Sequence, residues 1–208
     1  MVQYPNPTLI YHFTHINNLR SLVNSGGLIC KNGVTKNGMI YTNAAYTSVQ
    51  ERREQFQVPL PPYGVIHDYV PFYFNSHSPM LYAIKQERVT GIEMKSVIFF
   101  QTTAQEIKAA GKSFVFTDGH GIMALTDYYN DLKELHNVPW GVIHAKYWND
   151  FPDGRRERQS EFMVQNTVEW NLIKKIGVYD KSMKDRVDQI MNNLANKPPV
   201  EIERNWYF

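Results

Sequence analysis

One cysteine in 208 residues, Cys30, excludes an internal disulfide and a cysteine-based zinc cluster. No apolar run approaches the roughly 18–20 residues that a membrane-spanning helix needs. The N-terminal stretch Met-Val-Gln-Tyr-Pro-Asn-Pro has neither the charged nor the apolar part of a secretory signal, so a cytoplasmic protein is expected. Charge of one sign is also lacking: 22 basic against 20 acidic residues leave a net charge of +2. Bulk electrostatics therefore announce no nucleic-acid partner, and any such binding would need a local patch. The short catalytic motifs are missing as well. The seven histidines (His12, His15, His67, His77, His120, His136, His144) form no H-E-x-x-H pattern, so no metal is expected. The glycines fit neither a P-loop nor a G-x-G-x-x-G fingerprint, and no serine sits in a G-x-S-x-G elbow.

What is present is apolar and aromatic: 43% hydrophobic residues, with 13 Tyr, 11 Phe and 4 Trp, which a globular core can use. The length suits one domain, residues 1–208, and no repeat, low-complexity tract or linker divides it. Leu9-Ile-Tyr-His12 reads as a strand. Ile16, Leu19, Leu22 and Val23 share a helical face that Gly26-Gly27 ends. Residues 31–43, rich in Asn, Gly, Thr and Lys, read as an irregular loop. Ser48-Val-Gln-Glu51 matches a capping box and starts a helix carrying Arg52, Arg53 and Phe56. Val65 to Phe74 is strand-like, but Pro71 makes it an edge strand or a bent one. Ser78-Pro79 introduces a helix from Met80 to Gln86. Ser96 to Thr102 is a buried strand, and Thr103-Ala-Gln-Glu106 is a second capping box. Phe114 to Phe116 is a strand, and a helix is expected around 126–135. Strands follow at Glu161, at Ile176 to Tyr179 and at Val200 to Ile202. Met183, Val187, Ile190, Met191 and Leu194 mark an amphipathic helix before the last of these. Short strands mixed with helices make an α+β class.

Two segments carry chemistry. In an extended His12-Phe13-Thr14, the two polar side chains share one side and can offer a donor and an acceptor to an amide or a ribose. Glu161 opens the apolar run Phe162-Met163-Val164 after a charged loop, where a carboxylate could polarise a sugar hydroxyl. Taken singly, each has a plainer explanation: a satisfied structural histidine, a helix-capping threonine, an exposed strand-start glutamate. Arg52-Arg53 and Arg155, Arg156 and Arg158 read, by themselves, as solvated faces.

Their order along the chain says more. Tyr11-His-Phe-Thr-His-Ile16 with Asn18-Leu19, Gln50-Glu-Arg-Arg53, Gly64 to Phe74, Ser78-Pro-Met-Leu-Tyr82, Phe114 to Asp118 with His120-Gly121, and Glu161 to Val164 together resemble the DarT family from one end of the chain to the other. These are NAD-dependent ADP-ribosyltransferase toxins that modify bases in single-stranded DNA. The resemblance implies an ADP-ribosyltransferase-like split antiparallel sheet with flanking helices, cradling NAD as substrate. It assigns His12, Phe13 and Thr14 to the nicotinamide end, with Ser21, Ile29 and Arg53 also on the NAD site, and the segment 34–55 as the element covering it. Glu161 and Arg53 are the implied catalytic residues. His77, Ser78, Pro79, Met80, Leu81 and Tyr82 resemble the DNA-contact segment, and His120 to Glu161 the loop that presents the acceptor base, most simply a thymidine. A monomer is expected, opposed by a macrodomain antitoxin of the DarG type. Three other readings stay open: a guanosine-modifying relative, an NAD-using enzyme acting on RNA, and a non-catalytic single-strand binder.

Overall fold

The computed structural model describes residues 4–208. In chain order its elements are β1 (Leu9–His15), α1 (Leu19–Asn24), β2 (Gly27–Ile29), α2 (Lys31–Lys36), α3 (Thr47–Gln55), β3 (Tyr69–Tyr73), α4 (Pro79–Lys85), β4 (Val97–Thr103), α5 (Ala104–Ala109), β5 (Phe114–Thr117) and β6 (Tyr128–Tyr129). There follow α6 (Trp140–His144), α7 (Gly154–Glu157), β7 (Glu161–Gln165), β8 (Thr167–Glu169), β9 (Lys175–Val178), α8 (Lys181–Ile190) and β10 (Val200–Ile202). Eight strands form one sheet in the order β10-β9-β4-β1-β3-β7-β5-β6, and β2 pairs with β8 beside it. Every neighbouring pair is antiparallel except β10 with β9.

The period-2 alternation of the strands gives the sheet two apolar faces. Ile98, Phe100, Phe72 and Phe162 enter the larger cluster, which α8 covers with Met183 and Val187. Val97 and Phe99 turn the other way, toward Leu81 and Ile84 of α4, and Met163 and Val115 face Ile66 and Ile122. Both faces of the central strands are buried.

The sheet is split at its centre. β1 lies against β4 over its whole length, yet it meets β3 at a single residue pair, Tyr11 with Tyr73. Pro71 explains the position of the gap. Within a strand a residue's N–H and C=O point the same way, and the Pro71 carbonyl faces His12 of β1. The missing N–H therefore lies on the gap side, where no ladder bond is lost. Of the two sequence readings of Pro71, an edge strand or a bent one, the edge is excluded, because β3 lies inside the sheet between β1 and β7.

Three local expectations differ from the structure. Residues 31–43 begin with a helix, α2, whose first turn is capped by Cys30 Sγ accepting from the Gly33 N–H at 3.3 Å. Ser48 lies inside α3 instead of capping it, since the helix starts at Thr47 behind Tyr46. The helix expected at 126–135 is strand β6 followed by a 3-10 segment, Leu132–Asn137. Adjacent Tyr128 and Tyr129 are better suited to the sheet edge than to a helix. The other capping motifs hold: Ser78 accepts from the Leu81 N–H at 3.2 Å and Thr103 from the Glu106 N–H at 3.0 Å.

Candidate active site

A cavity of about 710 Å³ opens at the split and is lined by His12, Phe13, Thr14, Arg53, His120 and Glu161. Its size suits a dinucleotide-scale ligand. The split also explains why neighbouring residues of β1 reach it from opposite faces. His12 packs on Phe72 and Phe100 of the larger cluster, while Phe13 stacks on Tyr73, 6.0 Å away, on the other side. A continuous sheet would have hidden one set from the other.

Glu161 is 1% exposed and Arg53 7%. The guanidinium grips the carboxylate at both ends, Nη1 to Oε1 at 2.9 Å and Nη2 to Oε2 at 2.8 Å. The Gly121 N–H adds a third donor to Oε1 at 3.3 Å. A Cβ at residue 121 would crowd Tyr128 Oη at 3.0 Å, whereas at 3.5 Å from Oε1 it would make only an ordinary contact with the carboxylate. Burial alone would raise the Glu161 pKa, but the charge and hydrogen bonds of Arg53, with help from His120 and the Gly121 N–H, hold it below the ordinary carboxylate value. Burial likewise opposes the charge on Arg53, and Glu161 more than restores it, so its pKa is raised. Neither group is poised to give or take a proton near neutral pH. A carboxylate offers about four lone-pair sites. Both on Oε1 are taken, and Oε2 accepts only from Arg53. One acceptor site therefore remains on Oε2.

His12 Nδ1 lies 2.7 Å from the Pro71 carbonyl. A carbonyl can only accept, so Nδ1 carries the proton and Nε2 keeps its lone pair. Burial pulls the His12 pKa down to about 4, and the bond to Pro71 recovers only part of the loss. The ring is neutral at neutral pH. Thr14 Oγ1 accepts from Asn18 Nδ2 at 2.8 Å, and Asn18 also clamps Thr42 through bonds of 2.9 Å and 2.7 Å. Asn18 thus fixes both the end of β1 and the segment leading to α3.

Of the residues singled out in the sequence, His12, Phe13, Thr14, Ile29, Arg53, Pro79, Met80, Tyr82, His120 and Glu161 line this one cavity. Four do not. Ser21 lies on α1, its hydroxyl directed at the Ile40 carbonyl. Ser78 is the N-cap of α4 and Leu81 is a fully buried core residue. His77 faces a separate, smaller cleft and its Nε2 bonds the Tyr207 carbonyl at 3.1 Å. Arg158, read as part of a wet loop, is 4% exposed and bonds four backbone carbonyls, those of His77, Val142, Ile143 and Ala145. Tyr73 and His67, which the sequence offered only as part of the segment Gly64 to Phe74, also line the cavity, and so does Arg156, which is no solvated face but a mostly buried side chain paired with Asp118 and Asp153. Tyr73 could have been found from the strand register alone, because it pairs directly with Glu161. Among the described residues no group of three or more His, Cys, Asp or Glu side chains could hold a metal ion, and no helix is long and apolar enough to cross a membrane.

A split sheet with a lone ionised carboxylate on one side of the gap and a neutral histidine and a threonine on the other is the arrangement expected of the ADP-ribosyltransferase class. Comparison with known proteins narrows this. The profile of the family described as "ssDNA thymidine ADP-ribosyltransferase, DarT" matches residues 11–208. A DNA ADP-ribosyl transferase of Thermus sp. (strain 2.9) is 40% identical over 99% of this chain and 98% of its own length. One of Escherichia coli O127:H6 is 28% identical over 98% and 95%. The solved structure of Thermus sp. 2.9 DarT in complex with ADP-ribosylated ssDNA superposes with a TM-score of 0.93 at 38% identity, covering 99% of both chains. The same protein in complex with NAD+ gives 0.86 at 36%, over 99% and 100%. The chain belongs to the DarT family.

Proposed function

We propose that this protein, acting as a single domain, transfers ADP-ribose from NAD to thymidine in single-stranded DNA and releases nicotinamide. The observation that supports this most is the one acceptor site left on Glu161 Oε2, inside the cavity that His12 and Thr14 also line. A ribose 2′-hydroxyl donating to that site would place negative charge beside the anomeric carbon as its bond to nicotinamide breaks. Oxocarbenium character develops there, as in glycoside cleavage. The neutral His12, with a lone pair on Nε2, suits a ribose hydroxyl or the nicotinamide amide.

In the balanced step, the anomeric carbon–nicotinamide bond breaks and neutral nicotinamide departs. The carbon bonds to thymine N3, whose proton is released to solvent. Arg53 is a donor here and not a base, since its pKa is raised and a guanidinium stays protonated. Glu161 uses two of its five N–H groups, and the others can stabilise a thymine carbonyl as N3 loses its proton. An unpaired strand supplies the base without the cost of opening a duplex.

A Thermosipho africanus relative, 23% identical over 91% of this chain, is a fusion of a DNA ADP-ribosyl transferase with a DNA ADP-ribosyl glycohydrolase. By analogy, a separate macrodomain antitoxin of the DarG type would remove the mark made by this protein, which acts in the cytoplasm as a monomer. The deciding experiment incubates the protein with NAD and a thymidine-containing oligonucleotide. The expected mass gain is one ADP-ribose on DNA and none on the matching RNA. No gain on any DNA would refute the proposal.

A further inference from the structure

The cavity that holds Glu161 is also lined by aromatic rings that the chemistry above does not use. Trp148 and Tyr82 line it, with ring centroids 5.7 Å apart at an interplanar angle of 82°. Phe208 meets both, at 6.2 Å from Trp148 and 5.3 Å from Tyr82. Trp140, Trp170 and Trp206 are buried, and Trp148 alone among the four tryptophans is partly open. Behind it lies the Arg158 guanidinium, 5.7 Å from the indole centroid. Arg158 also ties the Trp148 loop to the His77 carbonyl, just ahead of the helix that carries Tyr82. The rings are held in place before any ligand arrives.

The surroundings are cationic. Arg88 and Arg155 are exposed and line the cavity, and neither forms a salt bridge among the described residues. The acid lining this part of the cavity, Asp153, already accepts from Arg156 Nε at 2.5 Å. A flat aromatic surface and two guanidinium groups free of salt bridges, lining the same cavity as Glu161, match a nucleobase and its phosphodiesters.

We infer that Trp148, braced by Tyr82, Phe208 and Arg158, is the stacking surface for the base next to the acceptor, with Arg88 and Arg155 taking the adjoining phosphates. The inference rests on the DNA-directed reading above. Stacking accepts any base, so this subsite supplies affinity and register and leaves the choice of acceptor to the inner cavity.

Titrating the protein with a short single-stranded oligonucleotide, without NAD, should quench its tryptophan fluorescence. Trp148→Phe should lose most of that quench while its circular dichroism is unchanged. In transfer assays Trp148→Ala should raise the oligonucleotide KM about tenfold, with a much smaller change in kcat, and Trp148→Phe should restore it. Thymidine monophosphate as acceptor should show no dependence on residue 148. An equal quench in Trp148→Phe, or a quench produced by NAD alone, would overturn the inference; the second result would give the ring to the dinucleotide. The binding arm needs no turnover and a folded Trp148→Phe suffices for it, so failure here is distinct from failure to modify DNA.

Discussion

Removing one half of the Arg53–Glu161 pair leaves the other charge buried and unpaired, and this sets how Glu161 should be tested. Breaking such a pair typically costs 3–5 kcal/mol. Glu161→Ala is therefore expected to lower the melting temperature by about 10 °C for a chain of this size. Glu161→Gln keeps an acceptor oxygen for Arg53 and should melt much closer to wild type. It should still lose at least a hundredfold in transfer, by analogy with the loss of one transition-state hydrogen bond. A Glu161→Gln enzyme with near-native turnover would remove the carboxylate from the mechanism. The pH response of the same pocket follows from two depressed pKa values. Glu161 titrates below its ordinary 4.5, so its share of stability is complete above about pH 4.5 and lost as pH falls through the folded value. His12 falls from 6.5 to about 4, so in that window the unfolded chain binds the proton first. Stability should decline as pH drops from 6.5 toward 4, and His12→Gln should lose that part of the slope in thermal melts. Matching slopes in the two proteins would show that His12 titrates normally.

At the scale of elements, α3 is unusual because Arg53 is its one buried residue. Besides Val49, which packs against the cluster of Ile66 and Met163, it is charge that pins this helix to the sheet where an apolar stripe would ordinarily do so, and the sequence pattern that starts a helix there gives no hint of that partner. Strands and caps were legible where a local pattern decides them: β4 by its buried run, α4 by Ser78-Pro79, α5 by Thr103. The segment 137–160 was not, because backbone bonds from Arg158, distant from most of its acceptors, organise it. Hydrogen bonds to a charged group are worth about 1.5–3 kcal/mol each. Burial lowers the Arg158 pKa to about 10, so the charge persists at neutral pH. Arg158→Ala should lower stability by about 2–4 kcal/mol and speed amide exchange across 140–160 more than across β4. Arg158→Lys, without the planar fork, should recover only part of the loss. Uniform exchange across the chain in the alanine variant would show that Arg158 is not what orders the loop.

For the molecule as a whole, a net charge of +2 hides an uneven distribution. Lys31, Arg52, Arg88 and Arg155 line the cavity that holds the buried ion pair, while most of the acidic side chains in salt bridges are matched to lysines elsewhere, among them Glu106 with Lys174 and Asp188 with Lys197. Composition averages these regions and so concealed the patch, although the resemblance along the whole chain had already joined its two ends. The distribution has a measurable consequence. Lys31 already sits over the Tyr41 ring, 4.0 Å from its centroid, which leaves about three of these cations for a strand crossing the cavity, and each phosphate neutralised on a single strand contributes roughly 0.7 to the salt slope. The logarithm of oligonucleotide affinity should therefore fall against the logarithm of salt concentration with a slope of about −2. Arg88→Gln and Arg155→Gln should each flatten that slope by roughly 0.7, whatever the base sequence. A slope near zero would mean that the strand avoids the basic rim, and one steeper than about −4 would require a binding path beyond this cavity.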